Sequence, residues 1–281
     1  MLLRFTCLLT FVFMAKTSLA QSYDILIKNG RIIDGTGNSW YYGDVAVQAG
    51  KIAAIGKLDR AKAKRIIDAT GLVVAPGFID VHTHIEGNEM VTPTADNFIH
   101  DGVTTVVTGN CGGSSLNMTK YFARLDSVKT SINVASLIGH NTIRRAVMGD
   151  AQRDPTAEEL AQMEELVEKA MQDGAVGLST GLIYVPGTYS KTPEVVALAK
   201  AAAKHGGVYA SHIRDEGDNV TEAVSEAIAI GRAANMPVEI SHFKVTYKPN
   251  WGRSVETLAL VDNARKEGLD VTVDQYPSLR R

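Results

Sequence analysis

From about residue 73 the chain alternates between short apolar runs and longer stretches with helix punctuation, and this alternation leaves few folds open. The runs fall at 72–75 continuing through 78–81, then at 104–107, 132–138, 175–178, 207–210, 238–240 and 271–273. Short apolar runs of this kind read as strands buried on both faces. Between them, Pro155-Thr156-Ala157-Glu158-Glu159 opens a helix that reaches Gln172 and stops at Gly174. Thr192-Pro193-Glu194 opens another, with Thr192 as cap, Pro193 at the first helical position and Gly206 just past the end. Residues 220–234 and 254–267 supply two more. Repeated βα units require a parallel sheet with right-handed crossovers. Seven such strands can be counted, whereas a closed (β/α)8 barrel takes eight. The expected fold class is α/β: a TIM-type barrel over residues 73–281, incomplete and truncated before strand eight.

Residues 21–72 follow a different pattern. Segments 24–28 and 31–34 flank Asn29-Gly30, which predicts a hairpin. Segments 44–47 and 51–55 flank a second turn at Ala49-Gly50, and Ile66-Ile67-Asp68 follows. This is part of a small β domain.

Histidines stand at the ends of the apolar runs. Ser211-His212 and Ser241-His242 each close a run and are followed by a basic residue, Arg214 and Lys244. His82 and His84 lie two apart after the first run, where strand periodicity turns both to one face as a chelating pair. Cys111 sits in Gly109-Asn110-Cys111-Gly112-Gly113, where glycines let the backbone approach a ligand. Cys111, His212 and His242 together make a three-ligand catalytic zinc set with one position left for water. Zinc can lower the pKa of a bound water to about 7 and polarise a carbonyl, which favours amide hydrolysis. A carboxylate is still needed to handle the water's proton. Asp80 is expected to be a buried support, and Asp215 and Glu216 are not convincing bases. Arg214 and Lys244 are placed either to hold a substrate carboxylate or to form ordinary surface salt bridges. His140, at the end of the third run, either touches substrate or supports a residue that does.

Composition narrows the class further. At 281 residues, 45% apolar and 21% charged, with a net charge of −2, the chain is an ordinary globular sequence. Its near-neutral balance and scattered basic residues argue against a nucleic-acid surface. Residues 1–20 carry an apolar core too short to span a bilayer, ending in Ser18-Leu19-Ala20, and read as a cleaved signal peptide. The expectation is export to a bacterial periplasm, with no membrane attachment after cleavage. Cys7 leaves with the signal, so Cys111 is the one cysteine of the mature chain and no internal disulfide can form.

The run Ala75-Pro76-Gly77-Phe78-Ile79-Asp80-Val81-His82-Thr83-His84 resembles the first barrel strand of the amidohydrolase superfamily. Gly102 to Gly112, Gly174 to Gly181, Ser211 to Gly217 and Ser241 to Lys244 look like the N-acyl-D-amino-acid deacylases within it. The resemblance runs from Tyr23 to Pro277. It implies a (β/α)8 barrel beside a β-sandwich built from both chain ends, with residues 21–72 as part of the sandwich. It implies tight zinc binding by Cys111, His212 and His242 and a weaker second site at His82 and His84. It places Tyr184 and Lys244 near a small-molecule N-acyl amino acid substrate, and implies removal of the acyl group from a D-amino acid. It also implies a catalytic Asp at the end of an eighth strand, which the sequence does not reach. The alternatives are a cyclic-amide or dipeptide hydrolase of the same superfamily, or a non-catalytic zinc-binding remnant. Cys111 counts against the hydantoinase-like branch, which bridges its metals with a modified lysine.

Overall fold

The computed structural model describes residues 22–276. The expected signal peptide, with Cys7, and residues 277–281 lie outside the described residues. The chain divides into two compact units, one ending at Pro76 and one starting at Gly77.

The first unit is a five-stranded sheet. Strand β1 (Ser22–Ile32) is central, antiparallel to β2 (Tyr41–Gln48) and parallel to β4 (Lys62–Asp68). β3 (Lys51–Gly56) pairs β2 through the expected Ala49-Gly50 turn. The hairpin expected at Asn29-Gly30 does not form. β1 runs straight through, and the register to β2 shifts there as a bulge. Asn29 takes a left-handed φ of 62° and its backbone N–H donates to Asp44 Oδ1 at 2.9 Å. The turn-prone pair is spent on kinking one strand, because β1 finds partners on both sides. Tyr23, Leu26 and Ala46 form the small core of this unit.

The apolar stretch expected to open the barrel splits in two. β5 (Val73–Val74) pairs β1 and belongs to the first unit. Pro76-Gly77 intervenes, and β6 (Phe78–Asp80) begins the second unit. The proline lacks the N–H that would carry a ladder across the break.

In the second unit every strand pair is parallel. β6 pairs β7 (Val103–Thr108), which pairs β8 (Asn133–Ser136). After Leu137 the chain continues as β9 (Ile138–Gly139), which pairs β10 (Gly177–Gly181). β11 (Val208–His212), β12 (Val238–Ile240) and β13 (Val271–Val273) follow side by side. Counting β8 and β9 as one interrupted strand gives seven successive barrel strands among the described residues, each joined to the next by a crossover. Helices α1 (Asp96–His100), α2 (Met118–Val128) and α3 (His140–Met148) serve the early crossovers. α4 (Ala157–Gln172), α5 (Thr192–Ala203), α6 (Val220–Ala234) and α7 (Ser254–Lys266) serve the later ones.

Local sequence explains these helices. Thr156 and Glu159 form a reciprocal capping box at the start of α4. That helix buries Met163, Val167, Ala170 and Met171, the i, i+4, i+7 and i+8 stripe of a helix lying on a core. α5 begins one residue earlier than expected: Lys191 is the cap residue, and Thr192 Oγ1 instead donates to Glu226 at 2.8 Å. Leu178, Leu198, Tyr209, Ile230 and Ile240 sit fully buried between sheet and helices. Each such aliphatic side chain contributes about 1.5–3 kcal/mol by leaving water. No helix among the described residues is long and apolar enough to cross a membrane.

Candidate metal centre

A parallel βα sheet sends every strand's C-terminal end to the same rim, so residues distant in sequence meet there. His212 is the last residue of β11. His242 follows β12 by two residues, and Cys111 follows β7 by three. His82 and His84 stand just beyond β6 rather than on it, which corrects the strand-periodicity expectation. Two of these side chains are aimed by left-handed backbone: φ is 53° at Cys111 and 38° at His242. Such conformations cost non-glycine residues on the order of 1–3 kcal/mol each and persist only where the surroundings enforce them. Around Cys111 the enforcement is tight packing. A Cβ at Gly139 would sit 2.2 Å from Gly112 O, and one at Gly181 would sit 2.2 Å from Cys111 O.

The thiol is the hub. Cys111, His212 and His242 place one ligand atom each within 4.8 Å of one another, and so do His82, His84 and Cys111. Cys111 Sγ lies 3.7 Å from His242 Nε2 and 3.5 Å from His82 Nε2. His242 Nε2 lies 2.9 Å from His212 Nδ1. Burial alone pushes the Cys111 thiol up, but hydrogen bonds from His212, His242, His82 and His84 bring it down to about 3. The site therefore holds a thiolate at neutral pH. His82 is pulled by burial toward neutrality, yet Asp274 and the Cys111 thiolate raise it to about 9. His212 Nε2 is buried with no hydrogen-bond partner.

This donor set fits zinc. A sulfur and a nitrogen on one tetrahedral zinc, at about 2.3 and 2.0 Å, stand roughly 3.5 Å apart. The Cys111–His242 and Cys111–His82 separations of 3.7 and 3.5 Å agree with that spacing.

Two carboxylates brace the cluster, and sequence reasoning passed over both in this role. Asp274, immediately after β13, has Oδ2 2.9 Å from His82 Nδ1 and accepts the His242 backbone N–H at 2.5 Å through Oδ1. Its signal was available, because it follows the last apolar run directly, as the histidines follow theirs. Glu216 Oε1 lies 2.9 Å from His242 Nδ1 and accepts from Lys244 Nζ at 2.5 Å. Burial works against the Glu216 carboxylate, but His242 and Lys244 hold it at about 2.

The other expected residues divide. Lys244 reaches the cluster through Glu216 and its own contact to the His242 carbonyl, 3.2 Å away. Tyr184 is half exposed, its ring 4.7 Å from that of His212 in an edge arrangement. Arg214 faces away, donating to Glu226 of α6 at 2.9 and 3.0 Å and to Thr188 O at 3.3 Å. It forms the salt bridge that was the alternative to substrate binding. His140 corrects the expectation of substrate contact: it is fully buried, with Nε2 2.8 Å from Glu194 of α5. Its place at the N-terminus of α3 turns its ring into the helix layer. Its neighbour Asn141, not singled out by sequence, joins the site loops. Its side chain donates to Gly181 O at 3.0 Å and Tyr184 O at 3.4 Å and accepts from Gly181 N at 3.2 Å.

The parallel barrel strands and the cysteine–histidine rim define a barrel whose rim carries a donor cluster suited to a metal ion. Residues 65–277 match the model of the amidohydrolase family, and the chain belongs to that family. It is 41% identical to a D-aminoacylase of Alcaligenes xylosoxydans xylosoxydans, over 92% of this chain and 58% of that protein. It is 40% identical to an N-acyl-D-glutamate deacylase of the same organism, over 92% and 57%. Among solved structures it superposes with a TM-score of 0.88 and 41% identity on the N-acyl-D-glutamate deacylase of Bordetella bronchiseptica, complexed with zinc and a phosphonate inhibitor. That match covers 92% of this chain and 59% of that one. The chain thus spans a little under three fifths of the length of the relatives it matches.

Proposed function

We propose that the protein hydrolyses the amide bond of N-acyl-D-amino acids with zinc held by Cys111, His212 and His242, and that His82 and His84 share Cys111 in a second, weaker site. The observation that carries this reading is the single half-buried cysteine, Cys111, whose sulfur belongs to both ligand clusters. Likeness to proteins that deacylate N-acyl-D-amino acids supports the substrate class. When bound, the metal polarises the scissile carbonyl and lowers the pKa of water. This chain's residues supply the setting. Lys244 and Tyr184 border the cluster and orient the substrate, while Glu216 and Asp274 fix the imidazoles. Export of the mature protein, from the sequence of residues 1–20, is part of the same proposal.

The test pairs metal analysis with a chiral assay. The protein is expected to bind zinc, to lose most of it on Cys111→Ala, and to release amino acid from N-acetyl-D-leucine but not from its L enantiomer. Unchanged zinc content in the variant, or preference for the L substrate, would overturn the reading.

A further inference from the structure

We infer that Glu216 is a positioning residue that couples metal binding to substrate binding: one carboxylate oxygen holds both the zinc-ligand His242 and the substrate-facing Lys244. This rests on the zinc reading above and goes beyond it by naming the group that links the two functions.

The geometry is that of one acceptor between two donors. Glu216 Oε1 is 2.9 Å from His242 Nδ1 and 2.5 Å from Lys244 Nζ. His212 Nε2 is a further 3.7 Å from the same oxygen, too far for a hydrogen bond but within the carboxylate's field. The Glu216 side chain is 11% exposed, so water does not substitute readily for either contact. Lys244 Nζ also lies 3.0 Å from His242 Nδ1, which leaves two ways to place the imidazole proton. If Nδ1 is bare, it accepts from Lys244. If Nδ1 carries the proton, it donates to Glu216 and Lys244 has only oxygen acceptors left. A histidine that ligates through Nε2 carries its proton on Nδ1, and a carboxylate there fixes both tautomer and ring orientation. His242 Nε2 is the nitrogen that faces Cys111 Sγ, so metal binding selects the Glu216-bonded form. Lys244 then loses its nitrogen acceptor and is held through Glu216 and the His242 carbonyl. The ammonium stays at the rim, oriented by the same oxygen that orients the ligand. Placing Glu216 four residues after His212, in the loop beyond β11, lets one residue brace both adjacent strand ends.

Three variants of the full protein test this. Glu216→Gln removes the charge while keeping the shape. It is expected to weaken zinc binding roughly 10–100-fold, the usual effect of losing such a carboxylate, and to raise KM for N-acetyl-D-leucine more than it lowers kcat. Glu216→Asp, with the carboxylate withdrawn by one methylene, should fall between it and the parent. Lys244→Met breaks only one arm, so zinc affinity should change less than about threefold while KM rises. Zinc affinity is read by competitive titration with a chromophoric chelator, using zinc alone, and folding of each variant by circular dichroism. Zinc affinity within twofold of the parent in both Glu216 variants would overturn the inference and leave the zinc reading standing. Failure of the parent itself to bind zinc through Cys111 would sink both. An equal loss of zinc in Lys244→Met would overturn the two-arm assignment.

Discussion

Glu194→Gln tests the support behind the metal centre. Glu194, in α5, is 5% exposed and faces two fully buried cationic or ionisable groups of α3, His140 and Arg144. Its carboxylate lies 2.8 Å from His140 Nε2 through one oxygen and accepts from Arg144 Nη1 through the other. Arg144 spends Nη2 on the carbonyls of Ala151 and Arg153, at 3.2 and 2.7 Å, and its Nε has no partner. Removing the negative charge leaves a buried guanidinium with no counter-ion, a loss of roughly 3–5 kcal/mol. For a domain of this size about 2–4 °C of melting temperature follows each kcal/mol, so the fall should be on the order of 6–20 °C. Thermal and urea melts followed by circular dichroism at pH 7 measure it. Burial raises the Glu194 pKa, but the His140 hydrogen bond and Arg144 outweigh burial and set it below the ordinary 4.5. A depressed carboxylate stabilises fully above the unfolded pKa and loses its contribution as pH falls through the folded one. The gap between parent and variant should therefore be constant above about pH 5 and narrow below about 4.5. The double change Arg144→Met with Glu194→Leu removes both charges and should recover much of the loss. A fall under about 2 °C at pH 7, or a gap that widens in acid, would refute the reasoning.

Two further outcomes follow from the site. In metal-free protein Cys111, held at about 3, should react with iodoacetamide at nearly the same rate at pH 5.5 and pH 8, whereas an ordinary thiol slows roughly tenfold per unit below about 8.5. Zinc should block the reaction, and a rate that tracks an ordinary thiol would show that the imidazoles do not hold a thiolate. Gly139→Ala would put a methyl 2.2 Å from Gly112 O and 2.9 Å from Gly113 N, both backbone. The expected result is a loss of about 1–3 kcal/mol together with reduced zinc content, since the displaced loop carries Cys111; native stability and full zinc would contradict the packing account.

Local sequence was sufficient where neighbouring residues decide the structure. The strand positions, the start of α4 near Thr156, the limits of α6 and the turn at Ala49-Gly50 were legible, because propensity, capping and periodicity act over a few residues. The burial expected of the first and last barrel strands was not met: Phe78 and Ile79 are exposed, as is Val273. The residue types of the metal cluster were legible for a related reason: strand ends in a parallel βα fold share one rim, so histidines and a cysteine at those ends must converge. Asn29-Gly30 misled because a turn-prone dipeptide is also a bulge-prone one, and only the strands on either side of β1 decide between them. Arg214 and His140 carried equal promise with Lys244 in the sequence. Which of the three faces the cluster is set by Glu226 and Glu194 on distant helices. Glu216 and Asp274 became visible as braces only with distances in hand, since a carboxylate's partner is chosen by tertiary geometry. The sequence by itself settled which chemistry the rim can hold. The tertiary structure alone decided which side chains brace it, because charge pairing and burial depend on contacts between strands and helices far apart in the chain.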